Sequence, residues 1–195
     1  MKKFELTSEF ITNIFGTKLF RIKALIEFGN VKAGELGGFV EKEENLNHEG
    51  NAWVYGNAEV YGNARVYGNA SVCDDARVYG NARVCGNAWV YGNARVCDDA
   101  RVYGNASVYG NARVCGDARV YGNADYATVH GFGSEYRTTT FFKTKAGEIG
   151  VRCGCFYGNL SEFRKKVVET HGETKKAKEY LMLADLMEFR FSDNS

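Results

Sequence analysis

The sequence contains no proline, so every bend must be made by other residues, and proline-rich linkers or recognition segments are excluded. No apolar run approaches the ~20 residues that cross a bilayer. The opening MKKFELTSEF is interrupted by charge, unlike the apolar stretch of an export signal. A cytoplasmic chain is therefore expected, with no membrane partner and with its six cysteines as reduced thiols. The net charge is only +1, so no overall field draws the molecule to polyanions. Histidine is limited to His48, His130 and His171, too few and too scattered for a three-histidine zinc centre. Cys153-Gly-Cys155 lacks the spacing of a zinc knuckle. No metal and no cofactor is expected. Between residues 52 and 124 there is neither threonine nor lysine, which sets aside the threonine ladders of ice-binding solenoids.

What is present is a period of six. From Ala52 the chain repeats Ala-x-Val-[Tyr/Cys]-[Gly/Asp]-[Asn/Asp] twelve times, with valine at every sixth position from Val54 to Val120 and no inserted residue. In Ala-x-Val the first and third side chains fall on one side and the middle one on the other, as in a strand. Small alanine and branched valine suit a narrow interior. Gly-Asn and Asp-Asp tolerate the left-handed backbone of a sharp corner. A strict period of six, with glycine in most units, cannot maintain one helical face. Each hexapeptide is thus one short strand and one corner.

The V-[YC]-[GD]-[ND]-A-x phrase is similar to that of the hexapeptide-repeat, left-handed β-helix superfamily. That resemblance implies a triangular coil of three hexapeptides, 18 residues, with coils ~4.8 Å apart. Tyr or Cys here takes a place that is usually small or acidic in that superfamily. The chain also resembles bacterial and phage-encoded repeat proteins of unknown role, which carry a lead-in like GGFVEKEENL (residues 37–46) and a tail like FFKTK…CGCFYG (residues 141–158).

The expected architecture is an all-β solenoid with a small α/β C-terminal cap. Residues 1–51 would form an N-terminal cap and irregular first coil, 52–125 the repeat, and 126–195 a hairpin with two helices. The hairpin is read at 135–144 and 149–156 around Lys145-Ala146-Gly147. Ser161 is read as the N-cap of a helix ending at His171, followed by a second helix near 174–189. Such pieces cover the open ends of a solenoid, whose bare edges would pair with other chains.

An 18-residue coil sorts the outward side chains into three columns. One holds Arg65, Arg83, Arg101 and Arg119; a second holds Glu59, Arg77, Arg95 and Arg113; the third holds Trp53, Ser71, Trp89, Ser107 and Asp125. Exposed tryptophans grouped on a flat wall mark an interface; the alternative is that a cap or the terminal helices fold back over this face. The expected function is a non-catalytic scaffold that docks a protein partner through its Trp and Arg faces, with self-association as a dimer or trimer. The phage-related resemblance suggests one version, an inhibitor of a host defence protein. An alternative is an acyltransferase: the superfamily resemblance implies a histidine base at a trimer interface beside loops that hold the acyl donor. No loop leaves these twelve units, and His130 is the candidate base. A further alternative is a nucleic-acid or nucleotide binder using the arginine columns. Against it stand Glu59, Asp74, Asp75, Asp98, Asp99, Asp117 and Asp125 in the same stretch. Cys97 and Cys115, 18 apart, should stack as two thiols.

Overall fold

In a computed structural model describing residues 1–133 and 135–192, each hexapeptide forms a two-residue strand, from β4 (Trp53–Val54) to β15 (Arg119–Val120). Each of these strands pairs in parallel with one 18 residues away, as in Trp53↔Ser71 and Trp89↔Ser107. The same offset joins Arg65↔Arg83, Arg101↔Arg119 and Arg95↔Arg113. Three strands close each turn, and the expected β-solenoid forms. Alanine and valine of all twelve units point inward and have no exposed surface. This is the alternation a two-residue period demands.

The corners divide the work between two residues. The first has left-handed backbone, for example Gly86 and Gly92 at φ 72° and 69°, with Asp74 and Asp98 at 59° and 60° where glycine is missing. Those two aspartates compensate with a bond to the next coil: Asp74 Oδ2 accepts from the Gly92 amide at 2.9 Å, and Asp98 Oδ2 from the Gly116 amide at 3.1 Å. The asparagine that follows is not left-handed. It builds amide ladders instead, Asn51–Asn69–Asn87–Asn105 and Asn63–Asn81–Asp99, with Nδ2 donating to Oδ1 one coil away.

At the N-terminal end, β1 (Phe4–Thr12), β2 (Lys18–Ala24) and β3 (Leu36–Val40) run antiparallel and extend one wall of the solenoid. β3 then joins the coil in parallel, with Phe39 opposite Glu59. That offset is 20 residues, so the first coil carries two extra residues. Gly37 and Gly38 are required there: a Cβ on either would stand 2.6 Å from the carbonyl oxygen of Val54 or Ala58. The open top edge is satisfied by side chains. Lys3 Nζ donates to the carbonyls of Ala52 (2.9 Å) and Gly50 (3.3 Å), and Asn45 Nδ2 to those of Ala64 (2.9 Å) and Gly62 (3.1 Å).

At the other end β16 (Tyr126–Phe132), β17 (Arg137–Lys143), β18 (Ile149–Cys153) and β19 (Phe156–Asn159) form an antiparallel sheet. It is covered by α1 (Leu160–His171) and α2 (Lys175–Phe191). β17 alternates faces, so Phe142 plugs the solenoid core while Phe141 enters a second core with Phe163, Tyr180 and Met187. Strands β16 and β19 extend the expected hairpin on both sides. The helix cap also differs from expectation. Asn159, not Ser161, closes α1: its Oδ1 accepts from the Glu162 amide and its own amide donates to Glu162 Oε2, a reciprocal pair that Ser161 could not make. α2 begins after Thr174, which accepts from the Ala177 amide, and continues to Phe191. Residues 134 and 193–195 of the expected C-terminal cap lie outside the described residues.

Candidate interaction walls

The tryptophan wall is only half open. Trp89 is 53% exposed and stands between two small neighbours, Ser71 and Ser107. Beside it the corner tyrosines Tyr91 and Tyr109 stack with ring centroids 5.3 Å apart, and Tyr109 is itself 52% exposed. Trp53, expected beside Trp89 on the same surface, is fully buried. Phe28 and Phe4 of the N-terminal cap meet its ring edge-on at 5.3 and 6.2 Å. Trp53 therefore anchors the cap and offers no surface to a partner. Its indole Nε1 is buried without an acceptor among the described residues.

The two arginine columns also differ. Arg65, Arg83 and Arg101 stand exposed and, among the described residues, have no ion pair. Arg119 ends their column, its guanidinium donating to the carbonyls of Asp99, Asp117 and Ala118. This wall forms a shallow groove of about 590 Å³ into which Asp99 and Asp117 also project, so part of its charge is screened from within. The other column is half-buried. Its first member, Arg77, pairs with Glu59 at 3.4 Å. Arg95 and Arg113 lie nearer the C-terminal sheet, where they line a cavity of about 540 Å³ with Arg137 and His130.

His130 lies on β16 with Nδ1 3.2 Å from Thr138 Oγ1, on the cap sheet and off the coil wall. Cys97 and Cys115 do stack, with Cα atoms 4.6 Å apart, but they are joined as a disulfide. The expectation of two free thiols is corrected on this point. Cys73, Cys85, Cys153 and Cys155 are free, and burial pushes the Cys73 thiol up to about 11, which makes it a poor nucleophile. No helix among the described residues is long and apolar enough to cross a membrane.

Residues 58–74, 76–92, 94–110 and 112–124 match the model of the YdcK β-solenoid repeat. Each match begins 18 residues after the last, the offset by which the strands pair. This is a β-solenoid repeat protein. No curated protein matches the chain. The match covers β5 to β15 of the β-solenoid and excludes β4 and both end pieces, the N-terminal strands and the C-terminal sheet and helices. Those end pieces are the parts that bury Trp53 and build the cavity around Arg113. Periodicity could place both residues on the walls. It could not say which stretch of wall the flanking segments cover.

Proposed function

We propose that this β-solenoid is a non-catalytic scaffold that docks a protein partner on the wall around Trp89. The observation that carries the reading is the exposure of Trp89 and Tyr109 on a surface whose backbone is held by hydrogen bonds to coils above and below. A large ring presented on a rigid wall loses little conformational freedom when it is covered, so most of its buried area counts toward affinity. The exposed Arg65–Arg83–Arg101 column on the adjacent wall extends the surface toward an acidic partner. The partner is either a different protein, with an inhibited host defence protein as the version suggested by the phage-related resemblance, or a second copy of this chain in a dimer or trimer.

Trp89→Ala tests the reading. In a pull-down from the native host, the substitution should abolish recovery of a partner that wild type retains, while thermal stability stays within about 1 kcal/mol, as for a surface position. If self-association is the use, light scattering should show the wild-type mass fall to that of the monomer in the variant. Identical partner recovery and identical mass in the two proteins would remove the reading.

A further inference from the structure

We infer that the seam between the solenoid and the C-terminal sheet is a binding site for a compact, multiply charged phosphate group. The site draws on separate elements. Arg95 and Arg113 project from consecutive coils, and Arg137 and Arg152 come from β17 and β18. The Arg113 amide donates to Thr140 Oγ1 at 3.0 Å, and Thr140 pairs in register with Arg152. Docking of the cap is therefore what brings these arginines together.

Among the described residues the charges are not balanced. Glu135 is the one carboxylate of these residues lining the cavity; it sits exposed at the rim, 3.7 Å from Arg137. Among the described residues no acid pairs with Arg95, Arg113 or Arg152. Burial, then the neighbouring Arg95, Arg152 and Arg137, hold the Arg113 guanidinium below its ordinary value. The Arg152 Nε is buried with no acceptor among the described residues. Such groups are costly without an anion. The other half-buried arginines of the solenoid are compensated, Arg77 with Glu59 and Arg119 with three carbonyls, whereas Arg65, Arg83 and Arg101, unpaired among the described residues, stand exposed to solvent. The asparagine ladder also changes here. Asn93 and Asn111 line the cavity, and among the described residues neither makes the side-chain bond to the next coil that Asn69 and Asn87 make. Their amides are left as donors facing the same space.

Guanidinium forks match the oxygens of phosphate bidentately, and amide donors complete the shell. Three lining arginines, Arg95, Arg113 and Arg137, with Arg152 near enough to act on Arg113, against one rim carboxylate suit a group with two or more negative charges, such as a phosphomonoester or diphosphate, better than a carboxylate. β16 and β17 bound the site on one side, so it suits a compact group better than the track of a nucleic-acid backbone. Tyr136 at the rim, 68% exposed, can stack on a planar ring attached to that phosphate. The site lies apart from Trp89 and does not depend on the docking reading.

Inorganic pyrophosphate is the probe, titrated into the full chain at low salt with calorimetry and melting temperature as readouts. Wild type should bind and melt higher with ligand. Arg95→Gln/Arg113→Gln should weaken binding at least ~10-fold, the loss expected when charge-assisted bonds to phosphate are removed. Its ligand-free melting temperature should be unchanged or raised, because like-charge repulsion is relieved. Arg83→Gln/Arg101→Gln and Trp89→Ala should bind as wild type does, the latter separating this site from the docking wall. If the first double variant does not fold, Arg137→Gln at the exposed rim should show the same loss of affinity. No binding at low salt, equal losses in both double variants, or a single-stranded oligonucleotide that outcompetes pyrophosphate would each overturn the assignment.

Discussion

Two nine-residue stretches, 50–58 and 86–94, are identical in sequence, Gly-Asn-Ala-Trp-Val-Tyr-Gly-Asn-Ala. Yet Trp53 is fully buried and Trp89 half exposed. Nothing local distinguishes them; the difference is made by Phe4 and Phe28, brought from the N-terminal cap. Trp53→Ala should cost about 3–5 kcal/mol, as for a large buried aromatic, whereas Trp89→Ala should cost under about 1 kcal/mol. Thermal denaturation of the two variants measures the contrast, and equal costs would contradict the burial. The corners supply a second residue-scale test. Gly86 has φ 72°, and a Cβ there would stand 2.9 Å from the Gly104 amide nitrogen. Gly86→Ala should therefore lose about 1–3 kcal/mol, while Gly122→Ala, with ordinary φ and open space, should be nearly neutral. The left-handed corners were legible because only a few residue types tolerate that backbone. The asparagine ladder was not, because asparagine suits a left-handed turn equally well and composition cannot separate the two uses.

At the scale of elements, the caps decide which backbone edges are exposed, and their chemistry is pH-sensitive. Burial holds the Lys3 ammonium at about 8, below its ordinary 10.5. The folded chain therefore binds fewer protons than the unfolded chain between pH 8 and 10.5, and this residue's contribution to stability rises with pH across that window. Below pH 8 both states carry the charge, and its burial cost is fully present. Lys3→Met removes the bonds to Ala52 and Gly50, so it should lose about 1.5–3 kcal/mol, as for charged hydrogen bonds. The melting-temperature difference between wild type and variant should shift further toward wild type from pH 8 to 10; a constant difference would refute the Lys3 assignment. The repeat strands were legible from alternation alone. Asn159 outcompeted Ser161 as the cap because Glu162 answers it from the N3 position, a relation that depends on where the preceding strand ends. Likewise the two cores served by Phe141 and Phe142 are a consequence of adding a helix-covered sheet to the end of a solenoid. Alternation assigns the two rings to opposite faces without saying that each face is buried.

For the whole molecule, every wall and column follows from three strands closing each turn. That geometry places Arg83 over Arg101, sets Trp89 between two serines and brings Arg95 beside Arg113 at the seam. The cysteines report on it directly. Cys73, Cys85 and Cys97 are spaced by 12, whereas Cys97 and Cys115 are spaced by 18. In a three-sided coil only the latter pair shares a column, consistent with Cα atoms 4.6 Å apart. A two-sided coil with a 12-residue turn would instead stack Cys73, Cys85 and Cys97. Mild oxidation of the folded chain, proteolysis and mass mapping of the linked peptides decide between them: the Cys97–Cys115 link is predicted, and a Cys73–Cys85 or Cys85–Cys97 link in its place would contradict the three-sided solenoid and every surface built on it.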